Sequence, residues 1–574
     1  MAVTNARVAE LLTELADLLE IRGEMAFKVR AYRKAAQAIQ TSTEAVETLA
    51  TEGRLEALPG VGEGIAKKIV EIVQTGDLRR LAEERTKVPR GVADLVRLPS
   101  VGPKKAMKIY QALKIESVAE LKKACEAGKV RAIPGFGERT EQLILKSIQF
   151  MRSSGQRVML SKARGEAEPF RAYVRELAGV KAADVAGSLR RQKETIGDID
   201  ILASATKSKW QQVLDAFVTY PGVVETIAKG DTKSSVRLRS GLQVDLRVVE
   251  PASYGAALLY FTGSKEHNIA LRTLALKKGY SLSEWGAFKK GTEKQVAGAT
   301  EEEMYKLLGL PFIEPELREN RGEVDAAAKG ELPKLVTEAD IQGDLHVHTD
   351  WTDGRASLEK MVDAAAKAGR KWLGISDHGA GIAVVNGLDD LRLRKQIDRV
   401  RRLAETGSLP LLVGLEANIT KEGRVDTPKK HAKDLDYVIA SVHSHFTLDA
   451  KEQTARIVRA IDSGGMSIYG HPQGRLLMQR EPISVDWDTV FQRAHGAGVA
   501  LEINALPSRL DLNGELAKAA KERKCRFAIN TDAHATDQLL LLPYGVAQAR
   551  RGWLEAKDVV NTLSVDKVRA TFAR

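Results

Sequence analysis

Two sets of side chains in this sequence have the types and spacing for metal-assisted phosphoryl chemistry. The first lies in Gly187-Ser188-Leu189-Arg190-Arg191 and, a few residues on, Gly197-Asp198-Ile199-Asp200-Ile201. Asp198 and Asp200 stand two apart in an apolar run that reads as a strand, so both carboxylates point to one face. Unpaired, they repel each other and are costly to bury; a shared divalent cation removes that cost. Gly187 and Ser188 offer a backbone amide and a hydroxyl to a polyphosphate, with Arg190 and Arg191 supplying positive charge. A second strand, Val244–Val249, adds Asp245, with Arg247 on the same face to orient it. Metal clamp, phosphate cradle and positive charge are what phosphoryl transfer needs. The competing reading is a surface strand with two solvated acids; the glycine-serine pair upstream and the third acid weigh against it.

The second set is made of histidines. The chain has ten, and nine follow residue 340. With several acids they fall at the ends of apolar runs: His346-x-His348, Asp353, Asp377-His378, Glu416, His443-Ser444-His445, His471 and Asp532-x-His534. The runs alternate with amphipathic stretches, which predicts a barrel of parallel strands with helices outside, whose strand ends converge on one face. His346, His348, Asp353, His378, Glu416, His443, His471, Asp532 and His534 are the expected ligands. Nine are too many for one ion and suit a cluster of up to three zinc, manganese or iron ions. His445, Asp377 and Asn504 are expected in supporting or substrate-binding places, and Arg475 and Arg509 near a phosphate or simply solvated.

These elements need several domains, as 574 residues predict. A formal charge of +12 suits a polyanionic partner. Cys125 and Cys525 form neither a disulfide framework nor a cysteine zinc site. There is no apolar run of membrane length and no signal peptide, so a cytoplasmic, soluble monomer without membrane partners is expected. Residues 1–155 read as helices with short glycine turns. One pattern occurs three times: Leu58-Pro59-Gly60-Val61-Gly62, Leu98-Pro99-Ser100-Val101-Gly102 and Ile133-Pro134-Gly135-Phe136-Gly137. Each opens a helix, and such helix starts bind phosphate without reading bases. Gly60, Gly62, Gly102, Lys104, Lys105, Gly135 and Gly137 are the candidate DNA contacts. Arg97 to Lys146 holds eleven basic residues against five acidic.

On these motifs residues 1–320 resemble the family X DNA polymerases, and the histidine set resembles the PHP (polymerase and histidinol phosphatase) domain with every ligand position retained. The resemblance implies helix-hairpin-helix elements at 1–85 (lyase-like) and 86–155 (fingers-like), a nucleotidyltransferase palm at 156–250, a thumb at 251–325, a linker at 326–340 and a PHP barrel at 341–574. The fold class is thus multidomain α and α/β. It further implies two Mg2+ (or Mn2+) ions on Asp198, Asp200 and Asp245. Gly187, Ser188, Arg191, Tyr260, Gly263, Lys265, Asn268 and Arg272 would contact the nucleotide or template. Ile196 departs from the family, standing where a phosphate-binding serine is usual. Phe27–Ala36 resembles the start of the family's lyase domain, and Lys68 falls at the place of its Schiff-base lysine, although another family lysine is Gly64 here. The implied activity is gap filling with dNTPs on gapped or primer-template DNA, with a 3′→5′ exonuclease and abasic-site cleavage from the barrel. The alternatives are a barrel that is a small-molecule phosphatase or merely structural, and a non-catalytic scaffold that binds DNA ends.

Overall fold

The computed structural model describes residues 5–573 apart from 23, 41–45, 59, 89–91, 93, 94, 97, 99, 100, 155, 156, 382–384, 408 and 429. The chain forms two units, Met1–Gly155 and Gln156–Arg574.

The first unit is helical. Leu11, Leu12, Leu15, Leu18 and Leu19 recur at helical spacing and form the inner stripe of Asn5–Ile21, packed in one aliphatic core with residues as distant as Ile148. The same hydrogen bond, from the residue before the last glycine to the apolar residue that opens the motif, occurs in all three glycine motifs. Val61 N donates to Leu58 O (3.1 Å), Val101 N to Leu98 O (2.8 Å) and Phe136 N to Ile133 O (2.9 Å). Val61, Val101 and Phe136, the residues between or before the glycines, are buried. Gly60 and Gly135 have φ of +84° and +86°, a region that side chains disfavour. The second glycine of each motif starts a helix: Gly62 caps Glu63–Thr75, Gly102 caps Pro103–Leu113, and Gly137 O accepts Thr140 N at 3.0 Å. Pro59, Pro99, Ser100 and Arg97 lie outside the described residues.

The second unit begins with a mixed five-stranded sheet, in the order Val180–Val185, Asp198–Ala205, Gln243–Val249, Lys233–Leu238, Val223–Lys229. Strand alternation divides it. Ile199, Ile201, Ala203 and Ala205 face a core built on helices Leu160–Glu176 and Trp210–Val218, where Phe170 and Phe217 stack. Leu202, on the carboxylate face, is covered by helix Tyr254–Thr262 through Ala257 and Leu258. Asp198 and Asp200 are left at the open end of that face. Asp198–Ala205 and Gln243–Val249 are parallel, and the register sets Asp200 opposite Asp245.

Helices Tyr254–Thr262, Lys265–Lys277 and Glu301–Leu307, with a small three-stranded sheet, enclose a further core. The connector 326–340 carries the end of helix Glu323–Lys329, and Leu332 and Leu335 pack against that core.

The histidine-rich region is a distorted barrel. Parallel strands Gly343–Asp344, Trp372–Ile375 and Leu411–Val413 form one run, and Glu416–Asn418, Ile439–Ser441, Ile468–Gly470, Ala500–Asn504 and Phe527–Asn530 form the other. Parallel bridges from His378 to Glu416 and from Val347 to Ala533 join the two runs. Helices such as Leu358–Lys367 and Ala450–Asp462 alternate with the strands and bury one apolar face each. Among the described residues no helix is long and apolar enough to cross a membrane.

Candidate functional site

In the barrel the expected ligands sit at or just beyond strand ends, except Asp353, which lies in the loop after Gly343–Asp344, and Glu416 is the hub. Its Oε2 lies 2.9 Å from His378 Nδ1, 3.3 Å from His346 Nε2 and 3.6 Å from His348 Nε2. Its Oε1 lies 3.0 Å from His471 Nε2 and 3.1 Å from His443 Nε2. Asp532 Oδ1 is 3.3 Å from His348 Nε2 and 3.5 Å from His346 Nε2. Asp353 Oδ2 is 3.4 Å from His534 Nε2 and 3.5 Å from His378 Nε2. Two ligands bound tetrahedrally to one ion of zinc's size stand about 3.4 Å apart, so these separations match shared ions. Three groups bring their ligand atoms within 4.8 Å of one another: His348, Asp353, His378 and His534; His346, His348 and Asp532; His378, Glu416 and His443. His471 belongs to none of these but faces Glu416. Buried imidazole nitrogens in this space, His346 Nε2 and both of His348, have no hydrogen-bond partner. Buried orphan nitrogens are costly, and a cation offsets that cost. The donor set therefore fits divalent metal.

The electrostatics agree. Burial opposes ionisation of Glu416, yet His378, His346 and His443 hold it well below the usual carboxylate range. Burial likewise opposes charge on His378, but Glu416 and Asp353 raise it to about 10. Burial and the neighbouring His534 and His378 push His348 down to about 3, keeping it neutral. Protons on some imidazoles thus stand where cations would.

One residue of this site is not evident from its place in the sequence. Glu502, fully buried, accepts from His346 Nδ1 (2.7 Å), His471 N (2.6 Å) and Asn530 Nδ2 (2.8 Å). It turns His346 Nε2 toward the cluster, the usual task of a carboxylate behind a metal-binding histidine. Its signal is a lone acid in the middle of the apolar strand Ala500–Asn504. Asn504 supports the site through Asp532 Oδ2 (2.9 Å). Asp377 fastens the loop that carries Asp353, accepting from Thr349 N (2.7 Å) and Thr352 Oγ1 (2.6 Å). His445 is exposed and bonds Ser444 Oγ (3.0 Å). Arg509 Nε is 3.5 Å from Asp532 Oδ2, and its buried Nη1 has no partner. Arg475 does not serve a phosphate: its guanidinium binds Arg509 O (3.0 Å), Leu510 O and Glu194 (3.4 Å).

The palm carboxylates are arranged differently. Asp198 is exposed, Asp200 half-buried and Asp245 buried. Burial, then Asp198 and Asp245, raise Asp200 to about 7; such mutual repulsion is what a cation relieves, so this set also fits divalent metal. These three are not among the groups that close to within 4.8 Å among the described residues. Asp245 is held instead by Lys233 Nζ (2.5 Å, to Oδ2) and Gln243 Nε2 (2.9 Å, to Oδ1). Arg247 does not orient it; its guanidinium lies 4.3 Å above the Phe261 ring. Gly187 has φ of +61°, and a Cβ there would run into the Asp200 carboxylate. Arg191 is held by Glu319 (2.9 Å) and Thr262 O (2.8 Å), and Arg190 by Glu301 (2.7 Å).

Beyond helix Tyr254–Thr262, Asn268 Nδ2 donates to Tyr260 O (2.7 Å) and so shapes the Tyr260–Gly263 turn. A Cβ on Gly263 would stand 2.7 Å from Asn268 Oδ1. Lys265 and Arg272 are exposed on helix Lys265–Lys277, and with Asn268 they share one face at spacings of three and four. In the first unit Lys104 and Lys105 are exposed, and the space over Gly62, Gly102 and Gly137 is open to an approaching backbone. Lys68 Nζ donates to Gly64 O (3.0 Å) and lies 5.9 Å over the Tyr32 ring.

Comparison with known proteins matches these parts one by one. A helix-hairpin-helix domain model matches residues 3–78 and a SAM-like helix-hairpin-helix tandem residues 92–149. A DNA polymerase beta thumb model matches 257–319 and a PHP domain model 344–505. The chain is 34% identical over 570 residues to the DNA polymerase/3′-5′ exonuclease PolX of Bacillus subtilis, covering 99% of each. It is 27% identical over 347 residues to DNA polymerase lambda of Rattus norvegicus, covering 55% of this chain and 56% of that one. A probable phosphatase of Caldanaerobacter subterraneus is 29% identical over 243 residues, 39% of this chain and 89% of its own length.

Proposed function

We propose a division of labour that follows from one fact: the chain belongs to the DNA polymerases of family X that carry a C-terminal PHP domain. It is a DNA polymerase and a 3′→5′ exonuclease, its substrates are DNA and dNTPs, and both activities depend on divalent metal. Its likeness to polymerase lambda supports short-gap filling in repair.

We assign extension to Asp198, Asp200 and Asp245, holding Mg2+ or Mn2+. Bound there, such ions would lower the pKa of the primer 3′-hydroxyl and offset the charge of the departing pyrophosphate. Gly187 N–H and Ser188 Oγ receive the triphosphate beside them, and Arg191, held by Glu319, supplies positive charge to it. The Tyr260–Gly263 backbone, held by Asn268, bounds the sugar; Lys265 and Arg272 face base and template. Lys104, Lys105 and the open glycine turns hold the DNA backbone in a sequence-independent way. Lys68, partly exposed above an aromatic ring, suits a phosphate contact.

We assign 3′-end removal to the barrel, where His346, His348, Asp353, His378, Glu416, His443, His471, Asp532 and His534 hold up to three zinc, manganese or iron ions. Those ions supply charge stabilisation and an activated water for phosphodiester hydrolysis. Glu502 orients His346, and Arg509 directs its free N–H at the phosphate. We place the protein in the cytoplasm as a monomer.

The observation that carries this reading is the pair of ligand sets in one chain: buried imidazoles around Glu416, and carboxylates beside a phosphate-binding turn. Labelled single-stranded DNA with manganese tests the nuclease half. Progressive shortening is expected; an intact oligonucleotide, with hydrolysis of a small phosphate monoester instead, would assign the barrel to a phosphatase like the Caldanaerobacter relative.

A further inference from the structure

The segment Arg191–Glu194 joins the phosphate-binding turn Gly187–Arg190 to the carboxylate strand, and the barrel grips it residue by residue. Arg551 Nη1 donates to Arg191 O (2.7 Å), Gln548 Nε2 to Gln192 O (3.2 Å), and Arg475 Nη2 to the Glu194 carboxylate (3.4 Å). All three side chains are buried. Arg551 Nη1 also reaches Glu319 (3.2 Å), the same carboxylate oxygen that binds Arg191 Nε. Leu510 of the barrel is fully buried within the palm core, and Arg475 holds the carbonyl of that residue.

The local chain needs such support. Gly187–Arg190 is a single helical turn whose carbonyls at 187, 188 and 189 are taken by the N–H groups of Arg191, Lys193 and Gln192, while the carbonyls of Arg191 and Gln192 just past it are held by Arg551 and Gln548. Gln192 has φ of +55°, unfavourable for any residue with a side chain. A turn this short does not hold such a backbone by itself; buried donors from outside do. Arg551 and Gln548 stand on helix Leu542–Arg551, one turn apart on a single face, and both point at this segment.

We infer that Arg551 and Gln548 of the barrel are positioning residues for the polymerase: they set the backbone and, through Glu319, the side chain of Arg191, and thereby the fit of the turn to the incoming triphosphate. The barrel is then a structural part of nucleotide binding, apart from its own hydrolytic site. This rests on the assignment of Gly187–Arg191 to the triphosphate.

Single-nucleotide insertion kinetics on gapped DNA, with the full chain, test it. Arg551→Met and Gln548→Leu should each raise the KM for dNTP, by about tenfold and threefold respectively, with kcat within twofold. Exonuclease rate on single-stranded DNA and thermal midpoint should stay near those of the parent. Arg551→Lys, which keeps one donor, should recover part of the KM. An unchanged KM in both variants overturns the proposal; so does a parallel fall of insertion and exonuclease activity, which marks general loss of fold. Ser188→Ala separates the two readings. If it leaves the KM for dNTP unchanged, the turn does not bind the triphosphate and both fall. If it raises the KM while the barrel variants do not, the positioning role alone falls.

Discussion

The barrel cluster and the carboxylates of the five-stranded sheet both have the donor types that suit divalent metal, but they are built on opposite plans. Around Glu416 most of the donors are buried, six of them are histidines, and they are spaced as if ions were already shared among them. In the palm the donors are carboxylates only, Asp198 is exposed, and Asp245 is held by Lys233. Imidazoles fixed by second partners such as Glu502 suit resident transition metals. Oxygen donors at an open edge suit a hard cation that arrives with a polyphosphate and leaves with pyrophosphate. The difference is between a site assembled during folding and one completed by its substrate.

Substitutions that remove one site should leave the other intact, and the sizes of effect order themselves by that contrast. Glu416→Ala takes away the hub of the cluster and should abolish exonuclease action and cut the metal content of the purified protein, with primer extension unchanged; extension lost in parallel would mean the sites are not independent. Glu502→Gln leaves every ligand in place and should lower metal affinity or exonuclease rate by about 10- to 100-fold, read by competition with a chelator. Metal uptake by the barrel should weaken as pH falls. His378, raised to about 10 in the metal-free protein, must lose its proton to become a ligand, so binding releases protons and acid opposes it. Calorimetry in buffers of different ionisation enthalpy should show proton release on metal binding at neutral pH; heats independent of buffer would contradict this. The smallest effect belongs to the palm. Lys233→Met frees Asp245 from a competing cation and should lower the Mg2+ needed for half-maximal extension by up to about fivefold; a higher requirement would show that Lys233 helps rather than competes.

Much of this was legible in the sequence because each chemical residue interrupts a strong pattern. His346, His378, Glu416, His471 and Asp532 stand out at the ends of apolar strands, and the barrel topology then brings them together. The glycine motifs were legible because one pattern of residues recurs three times. What escaped depends on pairing across distance. Lys233 meets Asp245 only through the register of the hairpin that joins their strands. Arg475 reads as a surface cation, yet it lies between two domains, bonded to carbonyls from one and a carboxylate from the other. Arg247 shares a face with Asp245, but the neighbouring Phe261 ring decides where its guanidinium rests. Glu502 sat in plain view in a strand and was hidden because its role is set by a histidine 156 residues away.

The central claim is that two chemically distinct ligand sets run two reactions. The direct test assays primer extension and 3′-end degradation side by side on Asp198→Ala and His346→Ala. The first variant should stop extending while still degrading, and the second should stop degrading while still extending. A single substitution that eliminates both reactions would contradict it.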